Sequence, residues 1–411
     1  MSVAAEPRRI ALVSAFPPGR LTLNEYGLHL AKAFAARADV LEVVVLADQL
    51  DHSVPELDLG PKVRVRRVWS FNSPLAAARI VAALKTERAD GAIFNLQMAS
   101  FGDREVPAAL GLCAPMLARL AGVPSGVIAH NLIGGVDLDQ TQLKGQVWRQ
   151  RLVRLGGAVI TRALLAANYL TVTLDSYRQN LARRHPRALV MLVPHGTFDT
   201  EARRLVPSRD RPLRIVTMGK FGTYKRLETL TSAFRHLRDR AGLSGLQLVI
   251  GGTDHPNTPG YMASVAETCR NEPDIRFHGY VAEADIPDFF GTARISVFDY
   301  SATTGSSGVL HQTACYGAVP VFPRIGDFVD VCRDEGLDGE NYAPGDAAGM
   351  AEAIAGLLAD PDRCDTLAAA NRDAALGMPI SAVAEVHMRQ LAGLWPRLVP
   401  VADVSERTLQ A

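Results

Sequence analysis

Short runs of aliphatic and β-branched residues alternate along this chain with longer Ala- and Leu-rich stretches whose apolar positions recur every three to four residues. Unbroken apolar runs suit strands covered on both faces, and the helical spacing suits segments that lie on them. In the first half the pattern predicts strands at Ile10–Ala15, Leu41–Ala47, Val63–Trp69, Gly91–Asn95, Gly126–His130, Leu170–Leu174 and Leu189–Val193. A helix is expected from Asn24 to Ala36, with Leu28, Ala31 and Ala35 at helical spacing. The second half repeats the scheme with strands at Leu213–Met218, Leu246–Gly251, Ile275–His278, Ile295–Asp299 and Val319–Phe322, and a helix over Leu227–Leu237. Strand and helix in alternation imply parallel α/β sheets. Between the two sets, Glu201–Pro212 is polar and aperiodic, with Arg203, Arg204, Pro207, Arg209 and Asp210, and reads as a linker. The expected fold is α/β: two Rossmann-like, doubly wound domains, residues 1–200 and 201–385, with 386–411 a C-terminal helix and tail packing back on the first. Such sheets bind ligands at the carboxyl ends of their strands, which puts the default site in a cleft between the domains.

Composition narrows the class. A chain of 411 residues, 48% hydrophobic and 21% charged, is that of a folded protein and excludes disordered, collagenous and coiled-coil readings. With 44 basic against 43 acidic residues there is no excess to neutralise a polyanion, so no nucleic-acid partner is expected. The five cysteines form no Cys-x-x-Cys pair, which argues against a disulfide framework and a thiolate zinc site and for a reducing, cytoplasmic compartment. Arg8 and Arg9 precede an apolar run, but Ile10–Phe16 is too short for a signal core and meets Pro17-Pro18, so it reads as the first strand. No stretch approaches the ~18 apolar residues of a spanning helix. There is no 20–50-residue repeat, no Gly-x-Gly-x-x-Gly after the first strand, no Walker loop and no His-Glu-x-x-His.

Three segments carry chemistry. The first strand closes at Phe16-Pro17-Pro18-Gly19 and a helix opens near Asn24-Glu25-Tyr26-Gly27, a turn that can offer backbone N–H groups to a phosphate or simply connect the two elements. His130-Asn131 closes another strand at the cleft edge. In the second half, Gly219-Lys220-Phe221-Gly222-Thr223-Tyr224-Lys225 sets two lysines in a glycine-containing turn, where their compact charges can converge on a diphosphate or stay solvated. Then Asp299 is followed by an uncharged run, Ser301–Gly308, leading into a helix with Val309, His311 and Gln312. Small residues and hydroxyls before a helix N-terminus make an anion nest that also suits a sugar.

These segments, in this order, resemble the retaining glycosyltransferases of the GT-B fold, specifically the large family 4. Gly219-Lys220 and Lys225 stand where that family has Gly-Arg and a lysine five residues on. Val193-Pro194-His195-Gly196-Thr197-Phe198-Asp199 resembles its junction between domains, and Leu248–Gly252 and Ile275–Val281 resemble its glycine strand end and base-contacting strand. The resemblance implies a catalytic set of His130, Lys220 and Lys225. It implies a donor site of Gly19, Gly219, Gly251, Tyr280, Val281, Thr304, Gly305, Ser306, Ser307, Gly308, Val309 and Gln312, and an acceptor side of Asn24, Tyr26 and Asn131. One departure stands out: Thr304 and Gln312 occupy the positions where the family commonly has Glu-x7-Glu.

The activity so implied is transfer of a hexose, mannose or glucose, from GDP- or UDP-hexose to a hydroxyl of a saccharide or glycoconjugate, with retention and with no metal or cofactor. Lys220, Lys225 and the N–H groups of Ser306–Val309 would stabilise charge growing on the leaving phosphate. Other readings are a metal-dependent transferase using Asp137-Leu138-Asp139, a GT-B phosphorylase or epimerase, and a non-catalytic nucleotide-sugar-binding protein. Leu143–Val159, with Lys144, Arg149, Arg151 and Arg154, is the candidate for weak association with the inner membrane face. Its basic and apolar residues interleave around a helix, which favours ordinary packing.

Overall fold

The computed structural model describes residues 6–19, 21–50, 55, 57–132, 147–198, 204–238, 240, 242–302 and 305–395, without the side chains of 147–154. The first sheet holds β1 (Arg8–Val13), β2 (Val40–Asp48), β3 (Val63–Trp69), β4 (Gly91–Leu96), β5 (Ser125–Ala129), β6 (Tyr169–Val172) and β7 (Val190–Leu192). Their order is β3-β2-β1-β4-β5-β6-β7, all parallel. Between them run α1 (Asn24–Ala35), α2 (Ala76–Thr86), α3 (Glu105–Leu112), α4 (Ala114–Leu120), α5 (Val147–Leu165) and α6 (Asp175–Arg184). The alternation of β1 splits two cores: Ala11 and Val13 join Ile80 and Leu84 of α2, while Ile10 and Leu12 join Leu30 and Phe34 of α1. Each such aliphatic side chain, once fully buried, contributes about 1.5–3 kcal/mol.

The second sheet holds β8 (Arg214–Phe221), β9 (Gln247–Asp254), β10 (Ile275–Gly279), β11 (Ile295–Val297), β12 (Val319–Pro323) and β13 (Glu340–Tyr342), ordered β10-β9-β8-β11-β12-β13 and again parallel. Its helices are α7 (Glu228–Arg238), α8 (Tyr261–Thr268), α9 (Ile286–Gly291), α10 (Gly308–Tyr316), α11 (Gly326–Glu335), α12 (Ala347–Ala359) and α13 (Pro361–Leu376). A last helix, α14 (Ile380–Ala392), returns to the first domain. Its Leu391 packs on Gly91, its His387 meets the Tyr169 hydroxyl at 3.0 Å, and Trp395 beyond it donates to the Asp90 carbonyl.

Four differences from the sequence pattern are physical. β8 runs on through Gly219, Lys220 and Phe221, paired with Gly252, Thr253 and Asp254, so the glycine-lysine pair lies on a strand end and not in the turn. β13 was not foreseen, because its three residues Glu340-Asn341-Tyr342 are mostly polar and only pairing with β12 makes them a strand. Part of the expected linker is packed structure: Ser208–Asp210 form a 3₁₀ turn, and the buried Arg211 donates to the carbonyls of Val206, Ala293 and Gly317. Finally, α5 is not packed all round, since Leu155 and Val159 are exposed. Among the described residues no helix is long and apolar enough to cross a membrane.

Candidate functional site

On the first-domain side, the turn after β1 is fixed by its neighbours. Asp48 at the end of β2 accepts the Phe16 N–H at 2.9 Å, and Arg67 of β3 donates to the Asp48 and Pro17 carbonyls. A Cβ on Gly19 would fall 2.6 Å from Asp48 Oδ2, so only glycine fits there. Asn24, expected to face an acceptor, spends its amide on the Gly19 carbonyl at 2.6 Å and closes the turn onto α1. Tyr26, expected there too, is buried; its ring meets His130, His195 and Phe198 edge-on and does not open onto the cleft.

His130 follows β5. Its Nε2 lies 2.7 Å from Asn95 Oδ1, while Asn95 Nδ2 donates to Ser14 Oγ at 2.9 Å. An amide oxygen only accepts, so Nε2 carries the proton and Nδ1 is the free acceptor. Burial holds the imidazole pKa down at about 3, which makes His130 neutral across the physiological range. Asn131 accepts the Met98 N–H and thereby pins the loop.

On the second-domain side, Gly222 donates to the Lys225 carbonyl in a turn, and the Lys225 backbone bridges that of Tyr300. Lys225 Nζ sits 4.8 Å from the Tyr300 ring centre, a cation–π contact that holds the ammonium beside Gly219. Gly252, at φ +132°, must lack a side chain, since a Cβ there would fall 1.9 Å from the Gly219 carbonyl, whereas a Cβ on Gly219 would press only on the Lys225 side chain at 3.2 Å. His255, just past β9, is half-buried; burial and the charges of Lys220 and Lys225 depress its pKa, so three basic groups converge here. The α7 N-terminus is not free to take a phosphate. Asp299 Oδ2 accepts the Leu230 N–H there at 3.0 Å.

The α10 N-terminus is arranged differently. Gly305 has φ +88° and packs backbone to backbone on the first domain, with the position of a Cβ only 1.8 Å from the His130 carbonyl oxygen. Ser306 Oγ is buried without a hydrogen-bond partner among the described residues. Ser307 is the N-cap, and α10 begins at Gly308, whose φ is not positive and whose added Cβ would make only ordinary contact, 3.4 Å, with His195. The glycine that the conformation requires is therefore Gly305. Thr304 lies outside the described residues.

A cavity of about 530 Å³ opens between α1 and α9–α10, lined among others by His29, Lys32, His195, Glu283, His311 and Gln312. His29 crosses the domain boundary to Glu283 at 2.9 Å, and this hydrogen bond keeps the Glu283 pKa low despite partial burial. Gly308 and Gln312 border the cavity; Lys220 and Lys225 do not. Tyr280 is exposed, whereas Val281 is buried and its methyl occupies the space a Gly251 side chain would need. Gly251 thus serves packing, and Val309 packs partly against the core. Among the described residues no group of three or more His, Cys, Asp or Glu could hold a metal, and Asp137 and Asp139 lie outside them.

Several groups in this site were given no site role from the sequence: Asn95, His255, Glu335, Asp327 and Tyr177, and also His195 and His311, which stood only within quoted motifs. Each is an isolated polar residue in its own segment, and only the fold assembles them. His195 stacks on His311 with ring centres 5.0 Å apart; burial first, then the charges of His311 and His130, push its pKa well down.

Comparison with known proteins bears on the fold. Residues 212–360, from β8 through α12, match the family model described as Glycosyl transferases group 1. No curated protein matches the chain. The sucrose-phosphate synthase of Thermosynechococcus elongatus superposes with a TM-score of 0.73 at 19% identity, over 94% of this chain and 100% of that one. HepE of Anabaena in complex with UDP-glucose gives 0.67 at 14%, over 94% and 100%. A glycosyltransferase of Rickettsia africae gives 0.66 at 12%, over 94% and 98%. At these identities the likeness is one of fold, and that fold is the two-domain GT-B arrangement.

Proposed function

We propose that the chain is a retaining glycosyltransferase that moves a hexose, glucose or mannose, from a nucleoside diphosphate sugar to a hydroxyl of a saccharide or glycoconjugate. The observation that carries this reading is the contact of Gly305 with His130: the N-terminus of α10 is presented to the carboxyl end of β5, so a donor held by one domain meets groups of the other. Support comes from the match of residues 212–360 to glycosyl transferases group 1 and from the UDP-glucose bound by the structurally similar HepE.

As the bond from sugar to phosphate breaks, negative charge grows on the β-phosphate. The first amides of a helix have no intrahelical acceptor, and with the Ser306 hydroxyl and the ammonium groups of Lys220 and Lys225 they would bind that charge most strongly in the transition state. With leaving-group charge met in this way, no metal is required in the proposed reaction. His130, neutral and fixed by Asn95, can accept a hydrogen bond but with a pKa near 3 is too weak a base to take the hydroxyl proton, which passes instead to a donor phosphate oxygen in front-side attack. The Gln312 side chain offers neutral hydrogen bonds to the donor, each contributing about 0.5–1.5 kcal/mol.

Thermal melting with UDP-, GDP- and ADP-hexoses tests the reading, since a ligand at ~100 times its Kd stabilises by ~2.7 kcal/mol. The donor that raises Tm is then incubated with acceptor sugars and the anomeric configuration of the product read by NMR. Inverted product contradicts retention; loss of activity in chelator, restored by manganese, contradicts the metal-free mechanism. Donor binding without transfer or hydrolysis identifies a binding protein instead.

A further inference from the structure

The loop Gly305–Gly308 is held from behind by one helix. α11 brings a carboxylate against it from each of its two ends. In the first turn Asp327 Oδ2 accepts the Gly305 N–H at 3.0 Å and also the Tyr177 O–H at 2.7 Å, Tyr177 belonging to α6 of the first domain. At the last residue, Glu335 Oε2 lies 2.7 Å from His311 Nε2, both side chains being almost fully buried at 2% and 3% exposure. The other ring nitrogen, Nδ1, lies 2.9 Å from the Ser307 carbonyl.

Nδ1 of His311 is thus within hydrogen-bond reach of the Ser307 carbonyl, while Nε2 and the Glu335 carboxylate make a close buried ion pair whose angles do not form a hydrogen bond. The negative charge beside Nε2 and the carbonyl at Nδ1 both favour the protonated, cationic ring, so Glu335 holds His311 through charge and His311 donates from Nδ1 to Ser307. Burial alone would favour the neutral ring, but the charge of Glu335 and the contacts to Glu335 and Ser307 outweigh it, and the pKa is raised. The chain of contacts runs from Glu335 through His311 to the Ser307 carbonyl, the N-cap of α10. A second chain runs from Asp327 to the Gly305 amide, three residues before the helix begins.

We propose that α11 is the positioning element of the donor loop, Asp327 fixing Gly305 and tying it through Tyr177 to the first domain, and Glu335 fixing Ser307 through His311. Neither carboxylate touches the donor. They act through the backbone they hold, and Gly305 is closely confined, since a Cβ there would fall 1.8 Å from the His130 carbonyl oxygen. The loop itself carries no acidic residue among its described positions, so its acidic partners come from a neighbouring helix. The part of this inference that concerns catalysis rests on the reading of the loop as the donor site.

Four full-length variants test it: Tyr177→Phe, Asp327→Ala, Asp327→Asn and Glu335→Gln. Amide hydrogen exchange of residues 305–311 is measured without ligand, UDP and GDP binding by calorimetry, and kcat and KM with the hexose donor that the wild type uses. Tyr177→Phe and Asp327→Ala are expected to speed exchange in the loop by about tenfold, and to lower kcat by about tenfold with donor KM within about threefold, because the loop acts in the transition state. Glu335→Gln is expected to do the same around Ser307. Asp327→Asn keeps an acceptor oxygen and is expected to recover most of both losses. Wild-type exchange and kcat in Tyr177→Phe, which removes only a hydroxyl, together with wild-type values in Glu335→Gln, overturn the proposal. Faster loop exchange in a protein whose wild type neither binds nor turns over any nucleotide sugar leaves the brace standing and removes the donor reading; normal turnover with no change in any variant does the reverse.

Discussion

Gly305 and Gly308 separate what a residue's name tells from what its backbone tells. Both are glycines beside serines, but only Gly305 has a positive φ and a carbonyl where its side chain would be. Gly305→Ala is expected to abolish nucleotide binding while leaving a folded protein with a Tm lower by several degrees, because a left-handed non-glycine residue costs roughly 1–2 kcal/mol before the clash is counted. Gly308→Ala should bind within about threefold of wild type, since its Cβ would make only ordinary contacts. Calorimetry on the pair checks both. Lys225→Ala is expected to lower kcat by ~10²–10³, the range for loss of a transition-state donor, without change in Tm. Wild-type turnover at saturating donor would remove Lys225 from the mechanism. The lysine pair and the glycine-serine loop were legible as residue types at suggestive spacing; φ angles, Asn95 beneath His130 and the partners of His311 were not, because each depends on residues far along the chain.

Elements were legible where burial is continuous and illegible where it is not. β1, β4 and β5 are long apolar runs buried along most of their length, and the sequence pattern placed them within a residue or two. β13, polar and three residues long, and the end of β8, where Gly219 and Lys220 join the strand, exist because a neighbouring strand supplies their hydrogen bonds. The helix starts show the same division. α7 begins at a capping carboxylate supplied by Asp299, two residues past β11, a pairing set by topology. Asp299→Ala is expected to lower stability by ~1–2 kcal/mol, and Asp299→Asn, which keeps an acceptor, by much less, both measured by urea unfolding. Equal losses would show that the charge and not the acceptor supports the helix.

At the scale of the molecule, the two sheets are joined by contacts that no local pattern announces. Gly305 lies on His130, Tyr177 bonds Asp327, His29 pairs with Glu283, and α14 crosses back beneath the first sheet. The two-domain plan itself was readable from the alternation of strands and helices. This joint interior also buries neutral histidines. His130 and His387 have pKa values lowered by burial to about 3, and His195 lies well below its ordinary value. Their unfolded-state values near ~6.5 mean that the unfolded chain takes up protons first, so stability is full above about pH 6.5 and falls as pH drops toward the folded values, by about 1.4 kcal/mol per unit per histidine. His311 has the opposite sign: its raised pKa adds stability that is complete below about 6.5 and fades as pH rises through the folded value. The net expectation is a steep loss of Tm from pH 6.5 to 5. His387→Gln, remote from the cleft, should reduce that slope by about one third, and an unchanged slope would show that His387 does not titrate on unfolding.

In the proposed reaction a nucleoside diphosphate sugar binds between the paired lysines and the α10 N-terminus. Calorimetric titration of UDP and GDP into wild type, Lys225→Ala and Gly305→Ala tests it most directly. Saturable binding of one of the two to wild type is expected, weakened at least about tenfold, or ~1.4 kcal/mol, in each variant whose fold is intact by circular dichroism. Binding of equal affinity in all three, or no binding of either nucleotide to wild type at millimolar concentration, would contradict it.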